Sequence, residues 1–148
     1  MTTFTTAVLS AAAKQREVEI TTYGRVTGNP SRVIIWVSPG EAGRLYIRSG
    51  GGLGRNWTRN VTARNEAILH LGGVDLPVRL RLVTDPAEAR RVSSYVRAKY
   101  GEGVKFSVEG EELTPGEVAS FEVLAADRTP LTEPPAERGG EGSAPRRA

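Results

Sequence analysis

The chain has 148 residues, 39% of them hydrophobic and 25% charged, which suits one globular domain and is too short for two of ordinary size. It contains no cysteine and one histidine, which excludes disulfides, thiolate metal sites, cysteine nucleophiles and a metal site built from histidines. The net charge of +3 permits binding to phosphates or nucleic acid without requiring either. No segment approaches the roughly 20 apolar residues of a membrane helix and no leader pattern is present, so we expect a cytoplasmic protein without membrane contact.

Helical and strand patterns alternate along the first third of the chain. They predict an alanine-rich helix at 5–15, a half-buried strand starting at residue 16 and a turn at 24–30. An apolar strand at 32–38 and a returning strand at 44–49 follow. Because residues 32–38 are nearly all Val, Ile and Trp, we expect that strand to be covered on both faces, with Trp36 in the core.

The rest of the chain predicts a short helix, a second hairpin, a longer helix and a last strand, at residues 56–64, 67–71 with 76–83, 86–100 and 120–125. Asn56 is the expected N-cap of the short helix. Asp85, followed by proline, starts the longer helix, and Gly101 ends it. Residues 105–108 are a candidate edge strand. Residues 128–148 are rich in Pro, Gly, Glu and Arg, which predicts a disordered tail.

Five or six strands in hairpins, with three short helices, indicate a small antiparallel barrel rather than a parallel α/β sheet. The absence of long crossover helices argues against a Rossmann fold. We therefore predict a mainly β protein, an antiparallel barrel of about six strands, in a single domain over residues 1–127.

Two segments place arginines, hydroxyls and glycines at the ends of strands. The first is Thr21-Thr22-Tyr23-Gly24-Arg25-Val26-Thr27-Gly28-Asn29-Pro30, and the second runs from Arg48 to Asn60. A turn leaves backbone N–H groups free, and arginine offers a planar pair of donors to phosphate oxygens. The two segments indicate an anion site, while an ordinary turn with an exposed arginine and a flexible glycine loop would give the same pattern.

These segments resemble the deazaflavin-dependent nitroreductase family of split β-barrel flavin-binding proteins. The first segment matches that family's Thr-Thr-x-Gly-Arg-x-Ser/Thr-Gly-x-Pro pattern. In the second, Ser49-Gly50-Gly51-Gly52 and Trp57-Thr58-Arg59-Asn60 follow its Ser-x-Gly-Gly and Trp-Tyr-x-Asn signatures, with Thr58 in place of tyrosine and a shorter loop between. The apolar runs before Arg48 and the Trp57-x-Arg59 pair also resemble a related bacterial group of unassigned function.

The resemblance implies an FMN-binding split-barrel fold, a homodimer, and a deazaflavin cofactor, coenzyme F-420, with FMN as the alternative. It implies an oxidoreductase that passes hydride from the reduced cofactor to a small electron-poor substrate such as a nitro compound, quinone or conjugated carbonyl. Arg25 and Thr27 would meet the phosphate of the cofactor, and Trp57 would either wall the ring pocket or anchor its helix to the core. The full set of expected cofactor-binding residues is Arg25, Thr27, Gly28, Arg48, Ser49, Gly50, Gly51, Arg55, Asn56, Trp57 and Asn60.

Two other functions stay open from the sequence alone. The loss of the tyrosine and the short loop favour a barrel that binds FMN or another ligand, or none, without catalysis. The third hypothesis is a nucleic-acid-binding face formed by Arg79, Arg81, Arg90, Arg91 and Arg97. The absence of aromatic residues interleaved with these arginines for base stacking argues against it. His70 lies between Leu69 and Leu71 in a predicted strand, so we expect a surface side chain, and no Ser-His-Asp set is evident.

Overall fold

The computed structural model describes residues 4–126, and the predicted tail lies outside the described residues. In chain order its helices and strands are α1 (Thr6–Lys14), β1 (Val18–Tyr23), β2 (Pro30–Ile35), β3 (Val37–Pro39), β4 (Leu45–Arg48), α2 (Asn56–Ala63), β5 (Ala67–Leu71), β6 (Val74–Leu82), α3 (Pro86–Tyr100), α4 (Pro115–Val118) and β7 (Ser120–Ala125).

The seven strands form one sheet in the order β2-β1-β5-β6-β7-β4-β3, and every neighbouring pair is antiparallel. The two edge strands, β2 and β3, follow one another in the chain with only Trp36 between them. The sheet therefore curls until its two edges approach each other, which produces a half-closed barrel. This confirms the prediction of a mainly β split barrel with short helices.

The strand predicted over residues 32–38 is two strands, which raises the count from about six to seven. The chain leaves one edge of the sheet at Ile35 and enters the other at Val37. Trp36 is 42% exposed and Ile34 is 59% exposed, so the prediction of a doubly covered strand with Trp36 in the core was wrong. The indole stacks on the ring of Tyr100 instead, with 3.9 Å between centroids. A short apolar run does not reveal how many of its faces are covered.

Alternate strand residues fill the barrel, where α1 and α2 also contribute side chains. The main core cluster includes Val8, Ala12, Ile20, Leu45, Ile47, Trp57, Val61, Leu69, Leu71, Val78, Phe121 and Val123. A smaller cluster lies where α3 packs Val92 and Val96 against Tyr46, which points to the face of β4 opposite Leu45 and Ile47.

The helix boundaries follow local signals closely. The side chain of Asp85 accepts a hydrogen bond from the Ala87 N–H, and Gly101 ends α3 with a φ of 105°, as predicted. Helix α2 begins at Asn56, as predicted, but its N-cap is Arg55 rather than Asn56. Residues 105–108 form no strand, which corrects that prediction.

The segment between α3 and α4 is held by one buried carboxylate. Glu117 is 0% exposed. It accepts hydrogen bonds from the Ser93 hydroxyl at 2.8 Å, from the Ser107 N–H at 3.0 Å and hydroxyl at 2.7 Å, and from the Thr114 N–H at 2.9 Å. Burial raises the pKa of Glu117, but these hydrogen bonds outweigh it and lower the pKa to about 2. The carboxylate is therefore ionised, and it ties two helices to the segment between them.

We expect Glu117→Gln to lower the free energy of unfolding by about 2 kcal/mol, because an amide presents its NH₂ to donors that need an acceptor. The folded-state pKa lies below the ordinary value of 4.5. The contribution of the carboxylate is thus complete above about pH 4.5 and is lost as the pH falls toward 2. Urea unfolding at several pH values measures the gap between wild type and variant, which should shrink under acid conditions.

Glu112→Gln is the matched control, since Glu112 is exposed and lies five residues away. It should change the unfolding free energy by less than about 0.5 kcal/mol. A gap for Glu117→Gln that stays constant from neutral pH to pH 3 would contradict the assignment.

Candidate functional site

The candidate site lies where the loop after β4 and the start of α2 meet the edge strand β2. A cavity of about 530 Å³ opens there, lined by Val33, Ile34, Ser49, Gly50, Gly51, Arg55, Asn56 and Trp57. Six of the expected cofactor-binding residues are in this lining. They come from the loop after β4 and from the start of α2, which follow one another in the sequence.

The glycine-rich loop is held in place by its own turn and by α2. The Gly52 N–H donates to the Ser49 carbonyl at 3.0 Å, and Gly52 has a φ of 88°. The buried hydroxyl of Thr58 lies 2.8 Å from the carbonyl oxygens of both Leu53 and Arg55. Thr58, which replaces the tyrosine of the resembled family, therefore fastens the loop to the first turn of the helix.

Arg25 reaches the same helix from the turn after β1. Its Nη1 donates to Oδ1 of Asn60 at 2.8 Å, its backbone N–H to the same oxygen at 3.3 Å, and its Nη2 to Oδ1 of Asn56 at 3.5 Å. Nδ2 of Asn60 donates to the Thr22 hydroxyl at 3.2 Å. Asn56 and Asn60 are four residues apart and so share one face of α2. Although Arg25 is exposed, its guanidinium is fixed beside the helix start.

Trp57 has the core role that the sequence offered as one alternative, and it also lines the cavity, while its contact with a cofactor ring stays a prediction. It is 8% exposed and packs into the main core, with its ring centroid 5.6 Å from that of Phe121. The same residue lines the cavity. Its aromatic ring therefore anchors α2 and forms part of the cavity wall.

Five of the expected residues lie outside the cavity lining: Arg25 and Asn60, described above, and Thr27, Gly28 and Arg48. Thr27 and Gly28 are in the turn after β1, where the Thr27 hydroxyl accepts from the Asn29 N–H at 3.1 Å and Gly28 has a φ of 78°. Arg48 points to the opposite side of β4, and donates to the Ser93 hydroxyl at 2.9 Å and the Lys105 carbonyl at 3.4 Å. Burial lowers the pKa of Arg48. A cofactor role for these residues stays a prediction, and the contacts of Arg48 are with α3 and its neighbourhood.

His70 has a setting that the sequence did not indicate. Its Nε2 lies 2.7 Å from the Thr21 hydroxyl and its Nδ1 lies 2.7 Å from a carboxylate oxygen of Asp75. Its side chain points away from the buried Leu69 and Leu71, as expected, but only 13% of it is exposed. Strand pairing makes this Thr-His-Asp set: Asp75 faces His70 across the β5–β6 hairpin, and β1 is the neighbour on the other side. The predicted hairpin had Asp75 in its turn, whereas β6 begins at Val74, and this shorter turn brings residues 70 and 75 opposite each other.

The His70 set lines a second cavity, of about 630 Å³, on the outer face of the sheet. Glu19 and Arg32 form an ion pair at 2.6 Å in the same lining. The hydroxyl of Thr21 belongs to a residue that is 4% exposed, so a ligand in this cavity would meet His70 and the ion pair before it met that oxygen.

The arginines of the nucleic-acid hypothesis are mostly committed to internal contacts. Arg81 bonds the carboxylates of Glu88 and Glu122, which raises the pKa of its guanidinium. Others bond or stack within the chain: Arg79 on the Asn65 carbonyl, Arg90 on the Ser107 hydroxyl and Arg97 on the Phe106 ring. Because these arginines are bonded within the chain, the structure argues against a continuous phosphate-binding face.

Within residues 4–126, no three His, Asp or Glu side chains come close enough together to hold a metal ion. No helix in that same part of the chain has the length and apolar character needed to cross a membrane.

Several solved structures share the fold. A structure described as a candidate 5-nitroimidazole antibiotic resistance protein from Bacteroides thetaiotaomicron VPI-5482 matches with a TM-score of 0.61 and 15% identity, covering 82% of this chain and 78% of the other. An F420-H2-dependent reductase, FDR-A, matches with a TM-score of 0.55 and 20% identity, over 74% of this chain and 94% of the other. A conserved hypothetical protein from Mycobacterium tuberculosis matches with a TM-score of 0.58 and 13% identity, over 92% and 95%. At these identities the likeness establishes the split-barrel fold.

Sequence comparison identifies the family. No curated protein matches the chain. One family model does, over residues 8–113, which is more than half of the chain and includes both candidate segments. The match agrees with the resemblance to a bacterial group of unassigned function, and the chain belongs to the family described as "Uncharacterized protein conserved in bacteria (DUF2255)".

Proposed function

We propose that the chain is an oxidoreductase that binds a phosphorylated deazaflavin, coenzyme F-420, in the cavity beside Ser49–Trp57, with FMN as the nearest variant. The observation that carries the proposal is a cavity lined by Arg55, Asn56 and Trp57, with the Arg25 guanidinium outside the lining and hydrogen-bonded to Asn56 and Asn60. This combination suits a ligand with a flat ring at one end and an anionic group at the other.

The residues present fit such a ligand. The volume of about 530 Å³ lies within the range of roughly 300–1,000 Å³ typical of small-molecule sites. Space beside Gly50 is open, because a Cβ placed there would have no atom within 4 Å. Arg25 and Arg55 are both exposed near the N-terminus of an eight-residue helix, where positive charge and free N–H groups favour an anion.

Each residue would contribute binding and orientation rather than covalent chemistry. Arg25 and Arg55 would hold the phosphate-bearing side chain, since arginine pairs with phosphate oxygens through two parallel hydrogen bonds. Trp57 and Ile34 would cover the ring and exclude water from it. When bound in its reduced form, the cofactor supplies the hydride, and a nitro compound, quinone or conjugated carbonyl is the class of acceptor.

The comparisons support this proposal at the level of the fold. FDR-A is an F420-H2-dependent reductase with the same barrel, and the Bacteroides structure is described in terms of resistance to a nitro compound. We propose the same cofactor class and acceptor class for this chain because Arg55 and Trp57 line one cavity and Arg25 is hydrogen-bonded to Asn56 of the same lining.

We expect Arg25→Ala to weaken F-420 or FMN binding by tenfold or more, because a charge-assisted hydrogen bond contributes roughly 1.5–3 kcal/mol. Titration of the purified protein with each cofactor, followed by cofactor absorbance and by quenching of tryptophan fluorescence, measures the affinity. Arg59→Ala is the matched control: it removes an equal charge from an exposed residue of the same helix and should leave the affinity unchanged.

An Arg25→Ala affinity equal to that of the wild type would mean that the phosphate lies elsewhere. Binding of neither cofactor by the wild type would favour a barrel without flavin chemistry. Binding to nucleic acid that falls steeply with added salt would favour the third hypothesis.

We further propose a homodimer, whose second subunit would cover part of the outer sheet face. That face exposes apolar side chains, with Ile34 at 59% and Val74 at 45%, beside the charged residues Glu19 and Arg32. Light scattering coupled to gel filtration should give twice the chain mass of 15.9 kDa. A mass equal to one chain at micromolar concentration would contradict the dimer.

A further inference from the structure

The side chain of Asn60 has little capacity left for a ligand. It is 5% exposed. Its carbonyl oxygen, which has two lone pairs, already accepts from Nη1 and the backbone N–H of Arg25. Its NH₂ group donates to the Thr22 hydroxyl, itself on a residue that is 1% exposed. The resemblance implied that Asn60 contacts the cofactor, whereas its hydrogen bonds all go to other parts of the chain.

We infer that Asn60 is a positioning residue: it acts through Arg25, and Thr22 acts through Asn60 in turn. The three side chains form a linear chain of contacts, from a buried strand hydroxyl to a helix amide to an exposed guanidinium. Only the last of them reaches solvent, where an anionic group of a ligand would lie. This inference rests on the proposed function for the identity of that ligand.

The physical reason is the conformational entropy of arginine. A free arginine side chain carries about 2 kcal/mol of rotamer entropy, which binding would otherwise have to remove. In this structure the guanidinium already donates to Oδ1 of Asn60 and, over a longer distance, to Oδ1 of Asn56, while the backbone N–H of Arg25 donates to the same Asn60 oxygen. The entropy cost of ordering the Arg25 side chain therefore falls on folding rather than on binding. A phosphate would then bind to donors that already have fixed positions.

This role predicts coupling rather than independent effects. If Asn60 touched the ligand itself, removing it and removing Arg25 would each delete a separate contact, and their effects on affinity would multiply. If Asn60 only positions Arg25, its removal matters only while Arg25 is present. The double variant would then bind no more weakly than Arg25→Ala alone.

The decisive experiment compares ligands with and without phosphate. FMN is titrated against riboflavin, and F-420 against its phosphate-free ribityl core, and the ratio of the two dissociation constants in each pair gives the contribution of the phosphate arm. We expect this ratio to fall about tenfold in Arg25→Ala, in Asn60→Ala and in the double variant. Arg59→Ala should leave the ratio as in the wild type. Unchanged affinity for the phosphate-free ligand shows that the cavity is intact, so a loss confined to the phosphate cannot come from misfolding.

Thr22→Val provides a second test with a nearly isosteric side chain in the strand. It removes the hydroxyl that holds Asn60, and we expect it to lower the ratio by several fold, while Thr22→Ser keeps the hydroxyl and restores it. A merely structural role of Thr22 would lower the affinity for both ligands of a pair alike.

The outcomes separate this inference from the proposed function. A ratio that falls about a hundredfold in the double variant, as the product of two independent effects, overturns the inference and leaves the oxidoreductase proposal standing. A wild-type ratio of dissociation constants near one also overturns the inference, because Arg25 would then contribute nothing to phosphate binding. If none of the four ligands binds, the proposed function is wrong, and so is the assignment of a cofactor phosphate to Arg25.

Discussion

The structure around the candidate site depends on the buried carboxylate of Glu117. Its four hydrogen bonds fix the segment after α3 and, through the N-cap residue Thr114, the short helix α4. That helix supports the glycine-rich loop from below: the Ser49 N–H donates to the Ala119 carbonyl at 3.1 Å, and Gly52 lies against Pro115. A negative charge in the interior, held by four hydrogen bonds and attracted to the nearby Arg48 guanidinium, thus helps to position a loop more than sixty residues earlier in the chain.

The two halves of the candidate site are fixed in different ways. The loop side is shaped by backbone turns and by the Thr58 hydroxyl, so its geometry follows from main-chain hydrogen bonds. The Arg25 side is shaped by side chains of α2, and its geometry follows from two amides spaced one helical turn apart. Helix α2 belongs to both halves, and the burial of Trp57 and Val61 joins it to the barrel core. Packing of one short helix therefore aligns a glycine loop with an arginine from another turn.

Features with local signals could be predicted from the sequence, and features made by pairing could not. Asp85 and Gly101 mark the ends of α3 through cap chemistry that needs no distant partner, and the 67–83 hairpin shows in the alternation of its residues. Trp36 was misassigned because an unbroken apolar run does not show where a strand changes from one sheet edge to the other. Arg48 was grouped with its neighbours in sequence, while strand alternation turns its side chain to the opposite face, toward Ser93. The partners of His70 come from two other strands, so only the register brings them together.

The residue that holds Arg25, Asn60, has an amide side chain. An amide can restrain the guanidinium without neutralising its positive charge. A carboxylate at position 60 would hold the guanidinium at least as firmly, but it would also cancel the field that draws an anion toward it. An alanine would leave the field and lose the restraint. Asparagine holds the cation through a neutral amide oxygen, so the guanidinium is restrained and no partner charge cancels its own.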